Sequence, residues 1–228
     1  MAGVVRLRVQ YLDDEKDEGK QEGPIYEYTL DTSRPLGEHL YELCGMFALG
    51  EGMYSLQIAE SGVYLFDDEE DPLDVQLEGM EGSLLYIRIA PMARAENCLD
   101  ILDANQESVL KKELFSIRFR LRDAGFAEEF IAMGGMARLL EIITDFEGNI
   151  QAYALTAVRG FMGYYSGLNE FLDAPDLVDR LFFLVAPGVL GNVCRQAIEL
   201  LFVLCNYGGF QLVHKAAKFT AGVVGGEA

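Results

Sequence analysis

The hydrophobic period of the chain changes near residue 95, from about 2 residues to about 3.6. One element cannot serve both periods. Alternation lines one face of a strand, whereas a 3.6 period lines one stripe of a helix. The chain must therefore hold a sheet-bearing part followed by a helical part. The boundary falls around Pro91-Met92-Ala93-Arg94, giving domains over 1–92 and 96–220. Charge shifts at the same place. Residues 1–95 carry 7 basic and 20 acidic residues, and residues 96–228 carry 11 and 17.

In the first part, Val5, Leu7, Val9 and Tyr11 alternate with Arg6, Arg8 and Gln10, which is the pattern of a half-buried strand. Residues 25–30 read as its hairpin partner across the charged loop 13–23. Pro35 to Phe47 reads as a helix, with Leu36, Leu40, Leu43 and Phe47 at helical spacing and Pro35 at its start. Short strands follow at 54–60, 63–66 and 84–90. Periodicity supports a small α+β domain, and the order ββαβ(β)β makes a ubiquitin-like roll one candidate among a few.

The second part reads as helices throughout, near 96–104, 107–123, 126–133, 135–145, 149–165, 167–172, 175–186, 192–207 and 209–219. Ala154 to Met162 can be laid on Ala197 to Cys205, after which Tyr164 falls on Tyr207 and Gly167 falls near Gly209. Such an offset, roughly 40–47 residues, belongs to armadillo and HEAT repeats, which stack helices into a solenoid with a concave face. Chance similarity between leucine-rich helices is the competing explanation.

Composition excludes several functions. The net charge of −19 opposes phosphate-backbone binding and docking on anionic membrane. Half the residues are hydrophobic, too many for a disordered acidic tail. No apolar run reaches the roughly 18 residues of a spanning helix, and the first residues lack a signal-peptide pattern. Cys44, Cys98, Cys194 and Cys205 form no CxxC pair and sit among apolar neighbours, as reduced thiols of a cytosolic protein would. Nucleotide, hydrolase and zinc motifs are missing, so no catalytic residue, metal or cofactor is expected. The acidic loops 13–22 and 67–71 lack calcium-loop spacing and read as solvated, and His39 and His214 read as exposed helix residues.

The order of short words along the chain carries a resemblance. Val4 to Leu12, Pro35-Leu36-Gly37, Leu56-Gln57-Ile58 and Ser61 to Leu65 resemble the N-terminal module of FHOD-type formins. Leu114-Phe115-Ser116, Glu129-Phe130-Ile131 and Gln151 to Leu155 resemble the helical region that follows it. The engulfment and motility (ELMO) scaffolds are a rival, which Tyr54 to Ser61 and Phe126 to Ile131 fit nearly as well. The formin resemblance implies a ubiquitin-like GTPase-binding domain followed by armadillo-type formin homology 3 repeats. It implies a regulatory module, not an enzyme, that binds a Rho-family GTPase and a C-terminal autoregulatory helix, and so acts on actin indirectly. The module would be cytoplasmic, on the actin cytoskeleton, and without a proline-rich tract it reads as a regulatory fragment. The ELMO alternative implies a scaffold joining a GTPase to an exchange factor.

Under the formin resemblance, Arg6, Arg8 and Arg34 become a positive patch for a GTPase. The simpler account is pairing with Asp or Glu on a neighbouring strand. The last helix of each repeat would line a peptide groove. Arg120, Gly160 and Val203 would face it, with Ser116, Thr156 and Glu199 one turn earlier and Tyr164 and Tyr207 one turn later. The two tyrosines fit ordinary helix packing equally well.

Overall fold

The computed structural model describes residues 3–12, 23–50, 52–173, 175–185 and 188–225. The chain divides into two compact units between Arg94 and Ala95. The acidic loop singled out above, 13–22, lies outside the described residues.

In the first unit, β1 (Val4–Tyr11) pairs antiparallel with β2 (Ile25–Asp31). After helix α1 (Leu36–Met46) come β3 (Tyr54–Ile58), the single turn α2 (Leu73–Gln76) and β4 (Leu84–Ile89). β4 runs parallel to β1 and antiparallel to β3, so the sheet order is β2-β1-β4-β3. Leu7 and Val9 are buried with Leu30, Leu56, Leu85 and Ile87, while α1 adds Leu36 and Leu43. Arg6 and Arg8 take the opposite face because strand side chains alternate. The expected strand at 63–66 reduces to one bridge, Gln57 to Tyr64, and Leu65 turns into the core.

His39 is buried, not exposed. It falls between Leu36 and Leu43 on the same stripe of α1. Burial is tolerated because both ring nitrogens are bonded, Nε2 to the Asp31 carbonyl at 2.9 Å and Nδ1 to the Tyr28 hydroxyl at 2.7 Å. The same hydroxyl donates its one proton to Glu42 at 2.7 Å. Burial, then Glu42, raises the Tyr28 pKa. His214 is exposed on the last helix.

The second unit is helical. It comprises α3 (Pro91–Asp103, which begins in the first unit), α4 (Glu107–Arg120), α5 (Ala124–Ala132), α6 (Gly135–Asp145), α7 (Gly148–Phe161), α8 (Tyr165–Leu172), α9 (Pro175–Phe183), α10 (Gly191–Asn206) and α11 (Phe210–Gly225). The unit α5-α6-α7 recurs as α8-α9-α10. α7 packs on α4 and α6, and α10 on α7 and α9, so α4, α7 and α10 follow one another as a stack. Its centre is aromatic. Phe130 stacks on Phe161 with centroids 4.6 Å apart, and Phe126 lies 5.8 Å from Phe130. Arg138 of α6 ties down the end of α3, donating to the Leu102 carbonyl at 2.9 Å and pairing with Asp103 at 2.7 Å. All four cysteines are free.

Candidate functional site

Two surfaces carry the candidate residues. On the outer face of the first sheet, Arg6 and Arg8 stand two residues apart and exposed. Across the ladder they face Thr29 and Glu27. Arg8 Nε donates to the Gly82 carbonyl at 3.0 Å, which holds its stem beside the start of β4. A shallow cleft of about 400 Å³ opens there, lined by Arg8, Glu60, Glu81 and Ser83 among others.

Arg34 does not join them. It precedes α1 and donates to Glu38 at 2.9 Å and to Glu42 at 2.6 Å. Arg34, and then Tyr28, hold the Glu42 carboxyl below the usual carboxylate range. Arg34 lies before the Pro35 cap, so these bonds fasten the turn after β2 to the first turns of α1. Arg34 is thus occupied in fixing α1.

On the helical unit, Ser116 and Arg120 of α4 gather around Glu113, which is buried. Arg120 Nη1 lies 2.5 Å from Glu113 Oε1 and Nη2 3.3 Å from Oε2, while Ser116 Oγ donates to the Glu113 carbonyl at 2.8 Å. Burial first, with Glu113 beside it, pushes the Cys98 thiol up, so it is a poor nucleophile. On α7, Thr156 Oγ1 donates back to the Ala152 carbonyl at 2.8 Å. On α10, Glu199 pairs with Arg159 of α7 and approaches Arg195. Ser116, Arg120, Thr156, Glu199 and Val203 are thus half-buried on three successive helices of the stack.

Gly160 and Tyr164 do not open toward a ligand. A Cβ on Gly160 would stand 2.4 Å from Leu121 Cδ1, and the Tyr164 hydroxyl donates to the Leu121 carbonyl at 2.5 Å. Both close the joint between α7 and the end of α4, and burial raises the Tyr164 pKa. Tyr207, at the end of α10, is 64% exposed and differs from Tyr164 despite the repeat alignment.

Several exposed residues fall outside the sequence reading. Ile198 and Phe202 project from α10, the latter 68% exposed, and Phe115 and Phe119 project from α4. Phe202 precedes Val203, so the groove alignment reached its neighbour and missed it. Between α5 and α8 lies a cleft of about 380 Å³ bordered by Glu128, Glu170 and Asp173. Ser166 Oγ donates to Glu128 across it at 2.7 Å. Among the described residues, no group of three or more His, Cys, Asp or Glu could hold a metal ion, and no helix is long and apolar enough to cross a membrane.

Residues 148–225, which span α7 to α11, match the family model described as the FHOD1/3 FH3 domain. The helical stack is a regulatory region of the formin class, a non-enzymatic module. More narrowly, the chain carries the formin homology 3 region of an FHOD-type formin. It is similar to Formin-C of Dictyostelium discoideum, 40% identical over 87% of this chain and 17% of that protein. Formin-G of the same organism is 34% identical over 85% of this chain and 19% of its own length. The human FH1/FH2 domain-containing protein 1 is 28% identical over 90% of this chain and 19% of its own length. The chain thus spans less than a fifth of the length of these relatives.

Proposed function

We propose that this chain is a GTPase-responsive, autoinhibitory module of a formin, cytoplasmic and acting on the actin cytoskeleton. Its first unit is the GTPase-binding domain, a ubiquitin-like roll in the order β2-β1-β4-β3 with α1 over one face. Its second unit is an armadillo-type stack that docks the C-terminal regulatory helix of the formin. The observation that carries this reading is the succession α4, α7, α10, with Ile198 and Phe202 exposed one turn apart on α10. Exposed aromatic anchors on such a face suit the apolar side of an amphipathic helix. The acid-bordered cleft between α5 and α8 offers negative charge to basic residues flanking that helix.

Phe202 is the position to test, because Gly160 is closed by Leu121. Phe202→Asp should weaken a labelled leucine-rich, basic formin tail peptide about 30-fold, the size of a hot-spot loss. The side chain is exposed, so the thermal midpoint should stay nearly unchanged. Equal affinity of wild type and variant by fluorescence anisotropy would remove α10 from the docking site.

For the first unit, Arg6 and Arg8 form the contact patch for an active Rho-family GTPase. Changing both to Glu should slow association about tenfold at low salt and reverse its salt dependence, since rim charges act mainly on the on-rate. Stopped-flow association that is unchanged by the double substitution would dismiss this face.

A further inference from the structure

β2 is the outer strand of the first sheet, and its far edge has no neighbour in the order β2-β1-β4-β3. The phase of the β1 ladder decides which main-chain groups face that edge. Thr32 N–H donates to the Gly3 carbonyl at 2.9 Å, while Arg8 N–H donates to the Ser83 carbonyl beside β4 at 2.9 Å. Odd-numbered residues of β1 therefore bond β2, and even-numbered ones bond the β4 side. The main chain of their partners Tyr26, Tyr28 and Leu30 faces β1, so the N–H and C=O groups of Ile25, Glu27, Thr29 and Asp31 point away from the sheet. The Asp31 carbonyl is occupied, accepting from His39 Nε2 at 2.9 Å and from the Arg34 N–H at 3.1 Å. Among the described residues, nothing bonds the outward main chain of Ile25, Glu27 and Thr29.

This edge lacks most of the devices that keep sheet edges from pairing. Natural edges are shortened, bulged, or studded with Pro and Lys. β2 runs seven residues in unbroken register, with neither Pro nor Lys between Ile25 and Asp31. Ile, Tyr and Thr, which favour extended backbone, fill most of it, and its one mid-strand charge is Glu27. Ile25, Tyr26, Glu27 and Thr29 are exposed. Tyr26 packs edge to face on Phe47 at 5.1 Å and still leaves 39% of its surface open.

We infer that the β2 edge takes an extended, basic segment of a partner protein as a fifth strand. Main-chain bonds to Ile25, Glu27 and Thr29 hold the segment, and its alternate side chains are selected. On the α1 side, an apolar residue lies against Tyr26 and Phe47. On the other side, a Lys or Arg stands opposite Glu27. The charges around the edge favour this occupant. Glu27, Asp31, Glu38 and Glu42 are offset only by Arg6, Arg8 and Arg34. Arg34 is engaged by Glu38 and Glu42, and Arg8 donates to the Gly82 carbonyl, on the β4 side away from the edge. Beyond them, residues 35–87 hold twelve acids and no Lys or Arg. Such a field draws a basic segment in. The same field disfavours a second copy, whose β2 would bring Glu27 against Glu27 between two units that each carry 20 acids against 7 bases. The edge is distinct from the Arg6 and Arg8 face proposed for a GTPase, which lies on the outer surface of the sheet.

The probe is a fluorescein-labelled peptide of alternating lysine and valine, with its glutamate-valine counterpart as control. The full chain should bind the lysine peptide with an affinity that falls with salt, and should ignore the glutamate peptide. In the complex, amide hydrogen exchange at Ile25, Glu27 and Thr29 should slow about tenfold or more, while Tyr26, Tyr28 and Leu30, already bonded to β1, should change little. Thr29→Pro removes one outward N–H and spares the β1 ladder, since proline is tolerated where that N–H faces solvent. It should weaken the lysine peptide about tenfold, whereas Thr29→Val, which keeps the N–H, should bind as the wild type does. Glu27→Gln should weaken the peptide by a smaller factor and flatten its salt dependence while leaving the pattern of slowed amides in place. Circular dichroism checks folding, and the exchange pattern decides the matter even if the proline variant unfolds. No binding of the lysine peptide, binding that leaves the three amides fast, or equal affinity in a folded Thr29→Pro variant would each overturn the inference. So would slowing of these amides by self-association or by an active Rho-family GTPase while the peptide is ignored.

Discussion

Phe130→Ala is expected to lower the stability of the helical unit by about 3–5 kcal/mol, the cost of removing a large ring from a packed core. The ring is fully buried, stacked on Phe161 at 4.6 Å and next to Phe126. The cavity left behind has a wall that cannot follow it. Gly135 of α6 brings its backbone so close that a Cβ there would stand 2.2 Å from the Phe130 ring. Collapse would require moving α6, and hence α7, which packs on it. Phe130→Leu, which fills part of the space, should cost less than half as much. Urea unfolding followed by far-UV circular dichroism measures both. A loss below about 1.5 kcal/mol for Phe130→Ala would mean that the aromatic stack is not the centre of the unit.

Much of this fold is legible because period and burial obey the same geometry. The alternation at Val5 to Tyr11 maps directly onto β1, with Leu7 and Val9 inward and Arg6 and Arg8 outward. The helical segments were equally readable, since each needed an apolar stripe and a Gly, Pro or Asp break. Local spacing held information about one residue that composition misplaced, His39, but not about Arg34. Arg34 looks like a partner of Arg6 and Arg8 when basic residues are grouped in an acidic module, but it precedes α1 and donates to Glu38 and Glu42. His39 looks polar and therefore exposed, but Leu36 and Leu43 flank it on the buried stripe of α1.

The groove residues show where local signals end. The alignment of Tyr164 with Tyr207 equates their places in the repeat, not their surroundings. Tyr164 meets Leu121 at the end of α4, 43 residues away, and no local pattern announces that contact. Tyr207 stays exposed. The same Leu121 closes over Gly160, so a residue that looked like open floor is a joint.

Gly167→Ala is expected to destabilise the helical unit by about 3 kcal/mol, although Ala is the better helix former by up to about 1 kcal/mol. The residue sits in the first turn of α8, where the chain leaves α7 and turns sharply. A Cβ there would stand 2.3 Å from the Phe161 carbonyl oxygen and 2.9 Å from its carbon. Those atoms are backbone and belong to the last turn of α7, so no rotamer change relieves the clash. Either α8 lifts away from α7 or the end of α7 unwinds, and both loosen the Phe130–Phe161 stack. Gly209, which the repeat places at the corresponding turn after α10, provides the internal comparison. Its Cβ would meet the Leu204 carbonyl oxygen at 3.0 Å and the Leu172 side chain at 3.2 Å, contacts that a few tenths of an ångström relieve. Gly209 precedes α11 and gains no helix propensity from Ala, so Gly209→Ala should cost about 1 kcal/mol, well short of the loss at Gly167. Equilibrium unfolding of the two variants in parallel reads the difference. Equal losses would show that the turn after α7 tolerates a methyl group, and that the close approach of α8 to Phe161 is not what sets the helix spacing there.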